Sequence, residues 1–401
     1  MDVCQTTQGF VAPASMNHQP SALPYVAAFA LTGMVTTMLG PILPDLLLRW
    51  SLSDAAAGAL FSAQFSGGMA GGAVSGLLVT SLGDRRALAL GYGTMVLGLV
   101  VVATGSHAVA VAGALLTGLG VGFVVPSTNL LVARRQPGRA ASALGALNLV
   151  WGLGAASWPL CVSIVARGAA PRTALFPLAA AAAVTSLGIL SRRDDGQARY
   201  ESRLGASGGH VATAHVALFG VVIFLYSGIE MALGGWLPEY ARRASTVEVT
   251  RWAAVGTAFW GGLSAGRGAI AVRLESRHED TALFAGLLLA TAGVLILLRV
   301  QSYALLPAVA GMCGFGLGPV FPVTAAAVSR RMPTHVAGPL LSLGSLGGAV
   351  VPWFVGLVSD RFRSLASGFT ALLALLALLI GLHVMRRAGE RASDRTPGPA
   401  S

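Results

Sequence analysis

Of the sixteen Asp and Glu residues in this 401-residue chain, fifteen fall in polar connectors, in tails or at the ends of apolar runs. Glu230 is the exception. It lies about seventeen residues into an apolar run containing "LFGVVIFLYSGIEMALGGWLPEYARR", with apolar sequence on both sides. A charge at mid-membrane costs about 2.5–3.5 kcal/mol on insertion scales, so such a residue faces a cavity or a partner. A carboxyl withdrawn from water holds a proton more readily, and proton loading and release is the chemistry this placement suits. Helical phase sets Tyr226, Ser227 and Gly234 on the same face, a polar stripe with an aromatic edge. The competing reading is a structural carboxyl that ties its helix to a neighbour.

A second charge, Arg267 in "GLSAGRG", also lies inside an apolar run. The rise of a helix places it roughly 8 Å from the end of that run, on the opposite side from Glu230. The two are therefore expected not to meet, and Arg267 reads as a gating or snorkelling residue. In "SALGALNLVWGLGAASWP", Asn148, Trp151 and Trp158 share one helical stripe. Indole rings stack and amides take hydroxyls, so Asn148 and Trp151 suit a polar solute with an apolar side, such as a sugar. Tyr226, Trp236, mid-run Gln64 and mid-run Trp260 complete the expected solute-binding set. Gly68, Gly72 and Gly76 recur every four residues and predict a close-packed helix seam.

Enzyme chemistry finds no purchase. The sequence has no HExxH, no nucleophile–base set and no GxxxxGK[ST] loop. Its three Cys are scattered and its seven His lie in connectors, in the leader or near run ends, so no metal site and no cofactor is expected.

The elements that must hold these residues follow from composition. Hydrophobic residues make up 54% of the chain and charged residues 11%, with a mean hydropathy of +0.71. A soluble chain would carry about twice that charged share. Runs long enough to cross a membrane occur at about 24–48, 55–80, 87–106, 108–133, 140–166, 171–190, 214–240, 250–272, 280–299, 303–329, 337–359 and 364–385. They imply a leader over 1–23, six spans over 24–190, a polar linker over 191–213, six more spans over 214–385 and a tail over 386–401. The net charge of +11 comes from Arg residues placed singly or in pairs between the runs, which excludes a nucleic-acid surface. With both termini cytoplasmic, inner segments hold seventeen Arg and outer loops nine, the expected bias.

The halves repeat. "GVGFVVPSTNLLVARRQP" (120–137) and "GLGPVFPVTAAAVSRRMP" (316–333) agree at nine of eighteen positions without a gap. Each closes the fourth span of its half. Parallel halves of this kind put a substrate path between them.

This pattern resembles the major facilitator superfamily along nearly the whole chain. In "GLLVTSLGDRR", Gly76, Gly83, Arg85 and Arg86 match the loop motif between spans two and three, which implies gating roles for Gly83, Arg85 and Arg86. Thr80 and Ser81 stand where the family carries Asp and Arg. The run Tyr226, Gly228, Glu230, Gly235, Trp236, Leu237 and Tyr240, with "LGPILPDL" and "GLGPVFP", is similar to the fucose-permease-like branch. The two acids that fucose permease uses are absent; their neighbourhoods read Gly40-Pro41 and Phe123. The resemblance implies an all-α membrane fold of twelve helices in two six-helix bundles. It also implies secondary active transport of a small, sugar-like solute by alternating access, with proton coupling through Glu230. Export of drugs or metabolites is the main rival, and a non-transporting sensor a further one. The expected partners are a small-molecule substrate, protons and the lipid bilayer of the cell membrane, with the chain acting as a monomer.

Overall fold

The computed structural model describes residues 23–135, 140–191, 213–244, 249–273, 278–300, 302–332 and 334–395. Nearly all of the expected leader and linker, and Pro137 and Pro333 of the repeat, lie outside the described residues. The helices are α1 Leu23–Thr36, α2 Leu39–Trp50, α3 Asp54–Thr104, α4 His107–Arg135, α5 Ala140–Val165, α6 Leu175–Leu190 and α7 Thr213–Ala244, followed by α8 Val249–Arg273, α9 Glu279–Leu297, α10 Leu306–Leu317, α11 Val320–Arg331, α12 Thr334–Phe362 and α13 Leu365–Arg395. No strand occurs among the described residues.

Thirteen helices accommodate the twelve runs in three steps. Runs 24–48 and 303–329 are each split. Pro41 and Pro44 cannot donate to the carbonyls a turn before them, and the first run breaks just ahead at Thr37–Met38. Neighbours satisfy the carbonyls around this break, as hydrocarbon requires. Gln64 Nε2 donates to Val35 O at 2.8 Å and Thr36 O at 3.2 Å, and Trp158 Nε1 donates to Met38 O at 3.1 Å. The tenth run breaks at Gly318-Pro319, inside the repeat. Conversely, α3 holds two runs. Its first half lies along α4 in the same direction, Gly67 against Leu115 and Gly71 against Leu119; its second half runs the opposite way, Gly91 against Gly120 and Gly98 against Gly113. The reversal is at Gly83, whose φ of 80° glycine alone adopts without strain. Ten stretches are long and apolar enough to cross a membrane with α3 counted once. The second half of α3 and the 25-residue α8 bring the total to twelve.

The repeat has a physical cause. Three glycine pairs at its 196-residue offset make matching contacts. A Cβ on Gly118 or Gly314 would fall on a carbonyl oxygen of its half's second span, that of Gln64 or Phe259. One on Gly120 would stand 2.5 Å from the Gly91 oxygen of span three, and one on Gly316 would stand 2.6 Å from the Gly286 oxygen of span nine. Gly122 meets Gly68 of span two, and Gly318 meets Gly266 of span eight. Glycine recurs because each fourth span wedges between two neighbours with backbone touching backbone. The expected seam on α3 needs correcting by one residue: Gly67 and Gly71 make the close approach, while a Cβ on Gly72 or Gly76 meets nothing within 4 Å. Adjacent glycine pairs give the same four-residue spacing in either phase.

Large apolar side chains such as Leu77, Ile164, Val184 and Leu187 stay exposed on the outside, the surface a bilayer covers. Helices α1–α6 and α7–α13 form the two bundles. One face carries the start of α1, the Gly83 reversal and the end of α13, and is called the terminal face below; the opposite one is the far face.

Candidate functional site

Glu230 on α7 is buried. Arg267 of α8 donates from Nη2 to both Glu230 carboxylate oxygens at 3.0 Å and to the Tyr226 hydroxyl at 3.1 Å. The expected separation of Glu230 and Arg267 is thereby overturned. Counted from their far-face ends, Glu230 lies fourteen residues from Ala244 and Arg267 eighteen from Val249. That difference is about 6 Å of helical rise, which an Arg side chain spans. Counting from the terminal-face ends misleads, because α7 has many more residues on that side of the pair. Arg267 is accordingly no snorkelling residue at a helix end.

The surroundings are aromatic and come from both bundles. Phe321 of α11 stacks on Tyr226 with centroids 6.2 Å apart. The Arg267 guanidinium lies 5.9 Å from the Phe321 ring and 5.6 Å from the ring of Trp151, which α5 brings from the other bundle. Trp151 meets Trp260 edge to face at 5.9 Å. A cation over aromatic faces is stabilised by their quadrupoles where water is scarce. The ion pair thus sits at the bundle interface, with one positive and one negative charge. The fork is incompletely used: Arg267 Nε is buried without a hydrogen-bond partner, and Nη1 bonds to no described residue. The Arg267 side chain retains 18% exposure against 3% for Glu230.

Of the expected solute-binding residues, the structure gathers Tyr226, Trp151 and Trp260 at this pair. Asn148 lies one turn of α5 nearer the terminal face, exposed, with its amide donating to Leu144 O at 3.1 Å. Gln64 is committed to the break between α1 and α2. Trp236 is fully buried and donates to Pro352 O at 2.9 Å. Gly83, Arg85 and Arg86 form the α3 reversal, where Arg85 is half-buried and Arg86 exposed. Beside them Asp84 pairs with Arg134 at 3.8 Å.

A second polar cluster, which sequence reasoning missed, closes the far face. Arg243 donates to Glu239 at 2.6 Å and to Asp54 of the other bundle at 2.8 Å. Arg242 also binds Glu239, and Ser359 donates to Asp54. Asp360 of α12 accepts from the backbone N–H groups of Asp54 and Ala55 at 2.8 and 2.9 Å, capping α3 across the interface. Below this latch the bundles stay in contact down to mid-height. Ser62 donates to Ala349 O at 2.7 Å, a Cβ on Gly40 would stand 2.8 Å from Gly234 O, and one on Gly152 would strike Ser264. Towards the terminal face the pattern changes. There Asp84–Arg134, Glu279–Arg330 and Asp280–Arg386 each stay within one bundle, and Gly145 and Gly268 have nothing within 4 Å of a Cβ. The local signal for the latch was the sequence Glu239, Arg242, Arg243, an acid with bases at helical spacing.

Comparison with known proteins agrees with this architecture. A bacterial homologue of the human lysosomal transporter Spinster, solved inward-facing and occupied, superposes with a TM-score of 0.70 at 15% identity, covering 94% of this chain and 98% of that one. A point mutant of the nucleoside transporter NupG gives 0.71 at 12% identity over 91% and 97% of the two chains. The human organic anion transporter MFSD10 gives 0.66 at 18% identity over 90% and 98%. At these identities the likeness is one of fold. A curated relative in Saccharomyces cerevisiae (strain ATCC 204508 / S288c), "Bypass of stop codon protein 6", is 25% identical over 158 residues, which span 36% of this chain and only 32% of the yeast protein. The Major Facilitator Superfamily model matches residues 25–340, well over half of the sequence. With its paired bundles and a charged site between them, this chain belongs to the Major Facilitator Superfamily.

Proposed function

We propose that the chain is a proton-coupled carrier that takes up a small, sugar-like polar solute by alternating access. The observation that carries this reading is the Glu230–Arg267–Tyr226 cluster, buried at the bundle interface beneath a latched far face. The Arg bias of the connectors makes the terminal face cytoplasmic, with both termini inside the cell membrane. The conformation described is then open to the cytoplasm and shut to the outside. Bundles 24–190 and 214–385, joined by the linker 191–213, rock about the site. Glu230 takes and releases the proton; Tyr226, Trp151 and Trp260 line the solute position, and Asn148 flanks its cytoplasmic approach. Gln64 and Trp236 act through the helices they brace, and Gly83, Arg85 and Arg86 serve the cytoplasmic gate. Resemblance to the fucose-permease-like branch supports the sugar-like solute, and aromatic faces beside polar groups support it independently.

The test is Glu230→Gln in proteoliposomes, with a solute first identified by thermal stabilisation of the purified protein. Accumulation driven by a pH gradient should be lost while counterflow exchange continues. Undiminished pH-driven accumulation rejects the assignment.

A further inference from the structure

We infer that the transported solute carries a carboxylate, which Arg267 binds in exchange for Glu230 when that residue is protonated. This rests on the reading of Glu230 as the proton site and adds the chemical class of the substrate.

The argument begins with charge balance. Among the described residues Arg267 is the one charged partner of Glu230, with the neutral Tyr226 hydroxyl beside both. What α12, α11 and α5 bring to this level is Gly347 and Val351, Phe321, and Trp151, none of them titratable. Among the described residues the one other titratable group at the pair is the Tyr226 hydroxyl, which accepts from the same Arg267 nitrogen. A proton added to Glu230 therefore leaves a guanidinium at the bundle interface with no counter-charge, a strongly unfavourable state. A neutral solute does nothing to relieve it. An anion does.

The geometry has a place for that anion. Glu230 now occupies Nη2; the neighbouring Nη1 bonds to no described residue, and protonation of Glu230 releases Nη2 beside it. Nη1 and Nη2 then present one edge of a planar fork that fits a solute carboxylate in place of Glu230. The side chain keeps 18% exposure, and Trp151 and Phe321 flank it with flat apolar faces for the rest of the solute. While Glu230 is ionised the pair is neutral, and an arriving anion is repelled by the carboxylate. Once Glu230 is protonated the same anion restores neutrality. Proton and carboxylate are each bound more tightly when the other is present, a reciprocal coupling. One proton moves with each monocarboxylate, and the step transfers no net charge.

Two matched pairs of probes test this on purified full-length protein: D-glucuronate against D-glucose, and benzoate against benzyl alcohol. Binding is followed by tryptophan fluorescence, and proton uptake by an indicator dye in weak buffer. At least one carboxylate should bind while its neutral counterpart does not, with about one proton taken up per anion and a Kd that rises about tenfold per pH unit where Glu230 is ionised. Glu230→Gln should bind the same anion with no proton uptake and no pH slope. Arg267→Lys, which keeps the charge and loses the fork, should weaken binding while leaving the proton count unchanged. Failure of both carboxylates to bind, equal binding of the neutral partner, or anion binding without proton uptake in the wild type overturns the inference; these wild-type readings hold even if a variant fails to fold. Should glucose instead support pH-driven transport that Glu230→Gln abolishes, the proposed function survives and the carboxylate does not. Proton uptake persisting in Glu230→Gln removes Glu230 itself.

Discussion

Helix α7 contributes to two Glu–Arg clusters that are alike in chemistry and differ in what they join. Near its far-face end, Glu239 and Arg243 connect to Asp54 of the other bundle, so the cluster must part whenever that face opens. About two and a half turns before Glu239, Glu230 binds Arg267, and both belong to the same bundle. Rocking the bundles need not disturb that pair; a change of protonation does. In the proposed cycle, identical chemistry serves as a clasp where it spans the two bundles and as the proton site where it does not. The two acids are buried alike, but the arginines differ: Arg243 is 35% exposed and Arg267 18%.

The contrast can be pressed by mutation. The largest effect is expected from Arg267→Met, which strands Glu230 in a dry site and should destabilise the protein by about 3–5 kcal/mol. Adding Glu230→Met should recover most of the loss, since a buried pair replaced by apolar groups of similar volume is often close to neutral. Chemical denaturation in detergent compares the two; equal instability of the single and double variants would show that the pair is not energetically coupled.

Arg243→Gln should act differently. It removes hydrogen bonds between charged groups at a half-exposed site, about 1–2 kcal/mol after allowing for screening, and its main consequence is conformational. Spin labels at Ser51 and Arg363, exposed on the two bundles at the far face, should report longer distances in this variant. A distribution identical to that of the parent would remove the latch from the account.

Salt offers a milder probe. Raising it from 0.1 to 1 M shortens the screening length from about 10 Å to about 3 Å. The far-face labels should separate slightly, while the stability difference between Arg267→Met and the parent holds. Smallest of all, Asn148→Ala should change stability by less than about 0.5 kcal/mol, because its side chain is exposed and bonds only within its own helix.

The sequence made the fold readable because its cause is spread over hundreds of residues: apolar length sets the spans, and duplicated glycines mark where backbones touch. It also exposed Glu230, since one acid in an apolar run conflicts with everything around it. Its partner was hidden. Pairing across α7 and α8 depends on where each helix sits along the bundle axis, and helix ends do not report that. The latch was hidden for a related reason: Asp54 is separated from Arg243 by 189 residues and from Asp360 by 306, and no local period connects them. The one-residue slip at Gly67 and Gly71 came from paired glycines that satisfy two phases equally.

Those glycine wedges govern how the molecule can move. Spans two, three and four are joined main chain to main chain, and their counterparts likewise, which makes each of these triplets a stiff unit. Deformation is confined to the seam between the halves and to the proline breaks in the first and tenth spans. In the proposed cycle the seam between the halves is then the part that must open, and substitutions along it are expected to tune turnover more than those made inside a half.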